Sequence, residues 1–105
     1  MASLTLERAK QNVIGCAVPL ATLAQVAGLR PTSLSSVYRG VMLLPSETEA
    51  RLFTISCRIA ELHQALLPLR LPDGADDLRR LVEHLESGGT SLEEIRDAVT
   101  KMAGE

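Results

Sequence analysis

Apolar residues recur at spacings of three and four along most of the chain, and each such run predicts a helix rather than a strand. Over residues 4–14 the stripe is Leu6, Ala9 and Val13, with Gly15 placed as a stop. Leu20 to Ala27 and Pro31 to about Arg39 are two short helical stretches. A longer stripe, Leu52, Ile55, Ile59, Leu62 and Leu66, belongs to a helix opening at Ser46 and running to Leu67. Ser46 and Glu49 have the spacing of a capping box, and Thr54, Ser56 and Cys57 are weak enough helix formers to allow a break. Pro68, Pro72 and Gly74 make 68–74 a linker. Beyond it, Leu78, Leu81, Val82 and Leu85 mark a fifth helix from Ala75 to Glu86, closed by Ser87-Gly88-Gly89. Leu92, Ile95, Val99 and Met102 mark a sixth, capped by Thr90 with Glu93 or by Ser91 with Glu94. The pattern predicts an all-α fold of five to six helices, divided into residues 1–67 and a C-terminal helical extension, 68–105.

The segment Leu20–Gly40, LATLAQVAGLRPTSLSSVYRG, has the parts of two short helices that cross at a tight turn. Ala24 and Ala27 are small enough for close approach. Gly28 tolerates the positive φ needed to reverse the chain. Leu23, Leu29, Leu34 and Val37 are spaced to pin both helices to a core, and Pro31 suits the first position of the second helix.

The order Leu23-Ala24, three residues, Gly28-Leu29, four residues, Leu34, two residues, Val37 resembles the helix-turn-helix of the lambda-repressor/Cro (Xre-type) family. The next stretch of chain resembles it too, with Arg39-Gly40, a short loop, Pro45 and Ser46 in that order. The likeness covers roughly residues 4–60. It implies a lambda-repressor-like DNA-binding domain whose second motif helix enters the major groove. Two places depart from the family's usual pattern. The first motif helix opens with Leu20 and Ala21 instead of a polar donor, leaving Thr22 as the nearest hydroxyl. The recognition stretch Thr32-Ser33-Leu34-Ser35-Ser36 is hydroxyl-rich, and such side chains discriminate bases weakly.

With Leu34 and Val37 inward, Thr32, Ser35, Ser36 and Arg39 share the outward face at i, i+3, i+4 and i+7. The residues expected at DNA are therefore Thr22, Arg30, Thr32, Ser33, Ser35, Ser36 and Arg39, with Thr32, Ser35 and Ser36 at the groove floor and the arginines on phosphate or guanine.

Charge changes this picture only in its distribution. Eleven Lys and Arg against thirteen Asp and Glu give a net charge of −2. Yet residues 1–72 hold seven bases and four acids, +3, while 73–105 hold four bases and nine acids, −5. A phosphate-facing surface is thus expected on the first part only. Aromatics are 2% and apolar residues 46%, a Leu- and Ala-rich mixture suited to helix-on-helix packing. No apolar run approaches the roughly 20 residues that cross a bilayer, and no secretory leader is visible, so a cytoplasmic protein with no membrane contact is expected. Cys16 and Cys57 are far apart, and His63 and His84 are isolated. No metal, cofactor or catalytic constellation is expected, and an enzyme is not.

The function expected is that of a transcriptional regulator of bacterial or phage repressor type, acting on double-stranded DNA as a homodimer over a palindromic operator. The seam Leu92, Ile95, Val99, Met102 is expected to dock on the fourth helix or on a second chain, with dimerisation favoured. The alternative is an antitoxin-like module whose acidic C-terminal helices bind a partner protein.

Overall fold

The computed structural model describes residues 4–67, 69, 71–72, 74–88 and 91–104. Among them are six α-helices and no strand: α1 (Leu4–Gly15), α2 (Leu20–Val26), α3 (Pro31–Tyr38), α4 (Ser46–Leu66), α5 (Ala75–Ser87) and α6 (Leu92–Gly104). The expected caps at Thr90 and Gly89 and the linker positions Pro68, Arg70 and Asp73 lie outside the described residues, as do the side chains of Leu92, Met102 and Ala103.

The fold is organised on α4. Its predicted stripe, Leu52, Ile55, Ile59, Leu62 and Leu66, is buried along its whole length. Each such side chain stabilises the fold by about 1.5–3 kcal/mol relative to an exposed one. α1 lies along α4 and contributes Leu6, Ala9 and Val13. The two are also joined by a polar tie. Asn12 Nδ2 donates to the fully buried Ser56 Oγ at 3.1 Å, and that hydroxyl donates to the Phe53 carbonyl at 2.6 Å. Ser56 and Thr54, weak helix formers that allowed a break, return their hydroxyls to carbonyls of the preceding turn, and the helix is continuous.

One device ends α1, α2 and α3. In each, an amide two residues past the last turn bonds back across five residues: Val18 N–H to Val13, Leu29 N–H to Ala24, Val41 N–H to Ser36. The residue between takes positive φ, which is the Schellman closure. Gly28 (φ +79) and Gly40 (φ +79) accept this conformation without a Cβ penalty. In α1 the position is Ala17 (φ +60), so Gly15, the expected stop, is simply the last residue of the helix.

The expected capping box at Ser46 is not formed. Pro45 occupies the cap position and Ser46 is already the first helical residue, where its hydroxyl makes no capping bond. Ser91 does cap α6, accepting from the Glu94 N–H at 3.2 Å.

The C-terminal helices pack back on this same body. Leu78, Leu81 and Val82 of α5 and Ile95 and Val99 of α6 join one buried cluster with Leu23, Leu34 and Leu52. α5 sits against α2 and α4. Arg79 donates to the Gln25 carbonyl on α2, and Arg51 forms a bidentate pair with Glu86 at 2.6 and 2.7 Å. Arg96 of α6 donates to the carbonyls of Ala65 and Leu67 at 2.7 and 3.3 Å, satisfying the end of α4 with a cation. Ile95 and Val99 are 1% and 2% exposed within the single chain, so of the seam expected to dimerise these two are spent on the protein's own core.

Candidate nucleic-acid interface

The position of α3 follows from its two apolar residues. Leu34 and Val37 are buried, and that rotation turns Thr32, Ser35 and Arg39 out to solvent. Ser33 and Ser36 lie half-buried at the flanks. Pro31 begins the helix and Arg30, fully outside it, stands at its cap position with extended backbone (φ −76, ψ 135). The Gly28 turn therefore sets where Arg30 leaves the body.

Two of the hydroxyls are not equivalent. Ser36 Oγ donates to the Thr32 carbonyl at 3.0 Å and receives a long contact from Arg39 Nη2 at 3.4 Å. Arg39 is thus steadied above its own helix one turn back. Ser35 makes no such bond and is exposed.

Ser35 and Arg39 border a groove shared with Leu20 and Ala21 of α2 and Lys10 of α1. Lys10 places its ammonium 5.8 Å from the centre of the Tyr38 ring, within cation–π range. Tyr38 in turn donates its hydroxyl to the Leu6 carbonyl at 2.6 Å, which locks the end of α3 to α1. Burial, then the charges of Glu7 and Glu49, push that phenol up to about 12, so it stays protonated and a donor. Lys10 belongs to this surface although its sequence position, on the first helix, gave no reason to group it with α3. Thr22 does not belong. It is half-buried and lines a different hollow, with Cys16, Pro19 and His63.

The chain that builds this face is basic, and the acids that act on it, Glu7 and Glu49, lie on the Tyr38 side. Between Arg8 and Ser46 the chain carries four bases, Arg8, Lys10, Arg30 and Arg39, and no acid. Among the described residues, no carboxylate lies within ion-pair distance of Lys10, Arg30 or Arg39. That acid-free stretch was the sequence signal that a division at residue 72 averaged away. Among the described residues no group of His, Cys, Asp and Glu is placed to hold a metal ion, and no helix is long and apolar enough to cross a membrane.

No family model, curated protein or solved structure matches the chain. Its own surface carries the functional reading.

Proposed function

We propose that the protein binds duplex DNA through the outward face of α3 and acts as a transcriptional regulator of repressor type. One observation carries this: an exposed face of α3 that bears no acid of its own and is flanked by Arg30, Arg39 and Lys10, none of which pairs with a carboxylate among the described residues. A polyanion is attracted to such a face, and a helix of this size fits the major groove. In this reading the guanidiniums and the ammonium hold phosphates, Thr32 and Ser35 meet base edges, and Ser33 and Ser36 support them. Hydroxyls discriminate weakly, so much of the sequence preference comes from the shape and deformability of the duplex.

A homodimer on a palindromic operator completes this proposal. With Ile95 and Val99 buried, a second copy must be met by other apolar surface. The consecutive residues Val41, Met42 and Leu43 are 75%, 45% and 90% exposed and offer such a surface. The same three residues favour a second reading, an antitoxin-like module whose partner is another protein. In that reading the exposed acids Glu83, Glu93, Glu94 and Asp97 on α5 and α6 complete the partner's site.

Selection of bound sequences from a random duplex pool tests both. Enrichment of a palindrome supports the operator-bound dimer, and enrichment of an unpaired half-site supports a monomer on DNA. Absence of any binding at low salt removes the DNA reading and leaves the protein partner.

A further inference from the structure

Where the α1–α2 turn, the end of α4 and the connection to α5 meet, they enclose a partly open hollow of about 310 Å³. That lies at the lower end of the range for small-molecule sites. It has room for about ten water-sized groups at roughly 30 Å³ each. Leu67, Leu69 and Leu71 form its apolar wall. Leu67 is 46% exposed and lines this space.

Opposite the leucines stand the Cys16 thiol, the Thr22 hydroxyl and the His63 imidazole. None of the three side chains is hydrogen-bonded within the described part of the chain. The Thr22 hydroxyl and the His63 imidazole reach open space, for among the described residues no buried side-chain nitrogen or oxygen lacks a partner. Among the described residues the lining includes no Asp, Glu, Lys or Arg. Ala17, whose positive φ closes α1, lies in the same wall.

We propose that this hollow is a binding site for a small molecule with a compact apolar body and a single hydrogen-bonding head. The body lies on Leu67, Leu69 and Leu71, and the head meets His63 or Thr22. The size excludes a nucleotide. Burial pushes the Cys16 thiol up, so at neutral pH it is a thiol and not a nucleophilic thiolate, and the binding is non-covalent. The site is independent of the DNA reading, because it involves neither α3 nor the basic groove.

The test is a titration of the full-length, isotope-labelled protein with 2-naphthol, a neutral bicyclic phenol of suitable size, followed by amide chemical shifts without DNA. Saturable shifts confined to residues 16–22, 63–67 and 69–71 are expected. His63→Ala should weaken binding about 5-fold, the worth of one hydrogen bond. Leu71→Trp should abolish it by filling the space, and Cys16→Phe fills it from the other wall, so a folding failure of one leaves the other to decide. Thermal melting certifies each variant. Non-saturating shifts, shifts spread over the molecule, or undiminished binding in a folded filled variant would overturn the proposal.

Discussion

Two sets of arginines in this small protein have opposite fates. Arg51, Arg58 and Arg79, on α4 and α5, each meet a carboxylate: Glu86 at 2.6 Å, Glu61 at 2.6 Å and Asp76 at 3.6 Å. Arg30 and Arg39, at the two ends of α3, meet none among the described residues. The first set is used up inside the protein's own charge pattern, and the second is available to something outside it. The net charge of −2 is therefore a poor guide to partners. What a phosphate backbone meets is the local field of the unpaired cations, within roughly a Debye length of about 8–10 Å.

The largest expected effect tests whether the two regions share one stability. Leu81 of α5 is 1% exposed inside the cluster that also holds Leu23 and Leu34. Leu81→Ala should cost about 2–5 kcal/mol and take the whole fold with it. A two-step urea transition, with α2 and α3 surviving the loss of α5, would show that the regions are separate.

Next comes Gly28→Val. A Cβ at Gly28 meets nothing within 4 Å, so the penalty is purely that of a β-branched residue at φ +79, about 1–3 kcal/mol. Gly28→Ala should fall below it. Equal melting of the two variants would mean that any Cβ at this φ carries the full cost and that branching adds nothing.

The paired arginines are worth less. Arg51→Ala should lose up to about 1 kcal/mol, since the pair is partly solvated. Its pH dependence has a definite sign. The hydrogen bond from Arg51 holds the Glu86 carboxyl below the usual carboxylate range. That stabilisation is complete above the unfolded value of about 4.3 and is lost as pH falls through the lower folded value. Urea melts of wild type and variant, separate at neutral pH, should converge in strong acid. A gap that persists there would assign the loss to packing.

The unpaired arginines should change stability least, by no more than about 0.5 kcal/mol. Under the DNA reading, Arg30→Ala and Arg39→Ala each reduce the salt slope of duplex binding by about one, whereas Arg51→Ala leaves it unchanged. An Arg51 effect as large as that of Arg39 would erase the distinction between the two sets.

The helices were legible because their stripes are made of leucine and isoleucine at unbroken spacing. Leu52 to Leu66 is the clearest case, and every member is buried. The outward face of α3 was legible for the same reason, from Leu34 and Val37 alone. Periodicity says that a face is covered, never by what. Ile95 and Val99 are covered by their own chain, a fact held in the Arg96 bonds to α4, which no spacing rule reports. Lys10 escaped because its neighbour in space, Tyr38, is 28 residues away. Ala17 escaped because a closure that usually selects glycine has chosen alanine, with Val13 and Val18 buried on either side to hold it. Ser46 misled because a proline before it took the cap position.

The packing of α5 on α2 also has a consequence in time. α2 and α3 are seven and eight residues long, too short to persist by themselves in water. They leave the ribosome early, but α5 begins 49 residues after α2 ends (75 − 26). At about 5–20 residues per second, translation separates the two by about 2.5–10 s. During that interval α2 and α3 rest on α1 and α4 alone, and the contacts that α5 makes with α2 are added last.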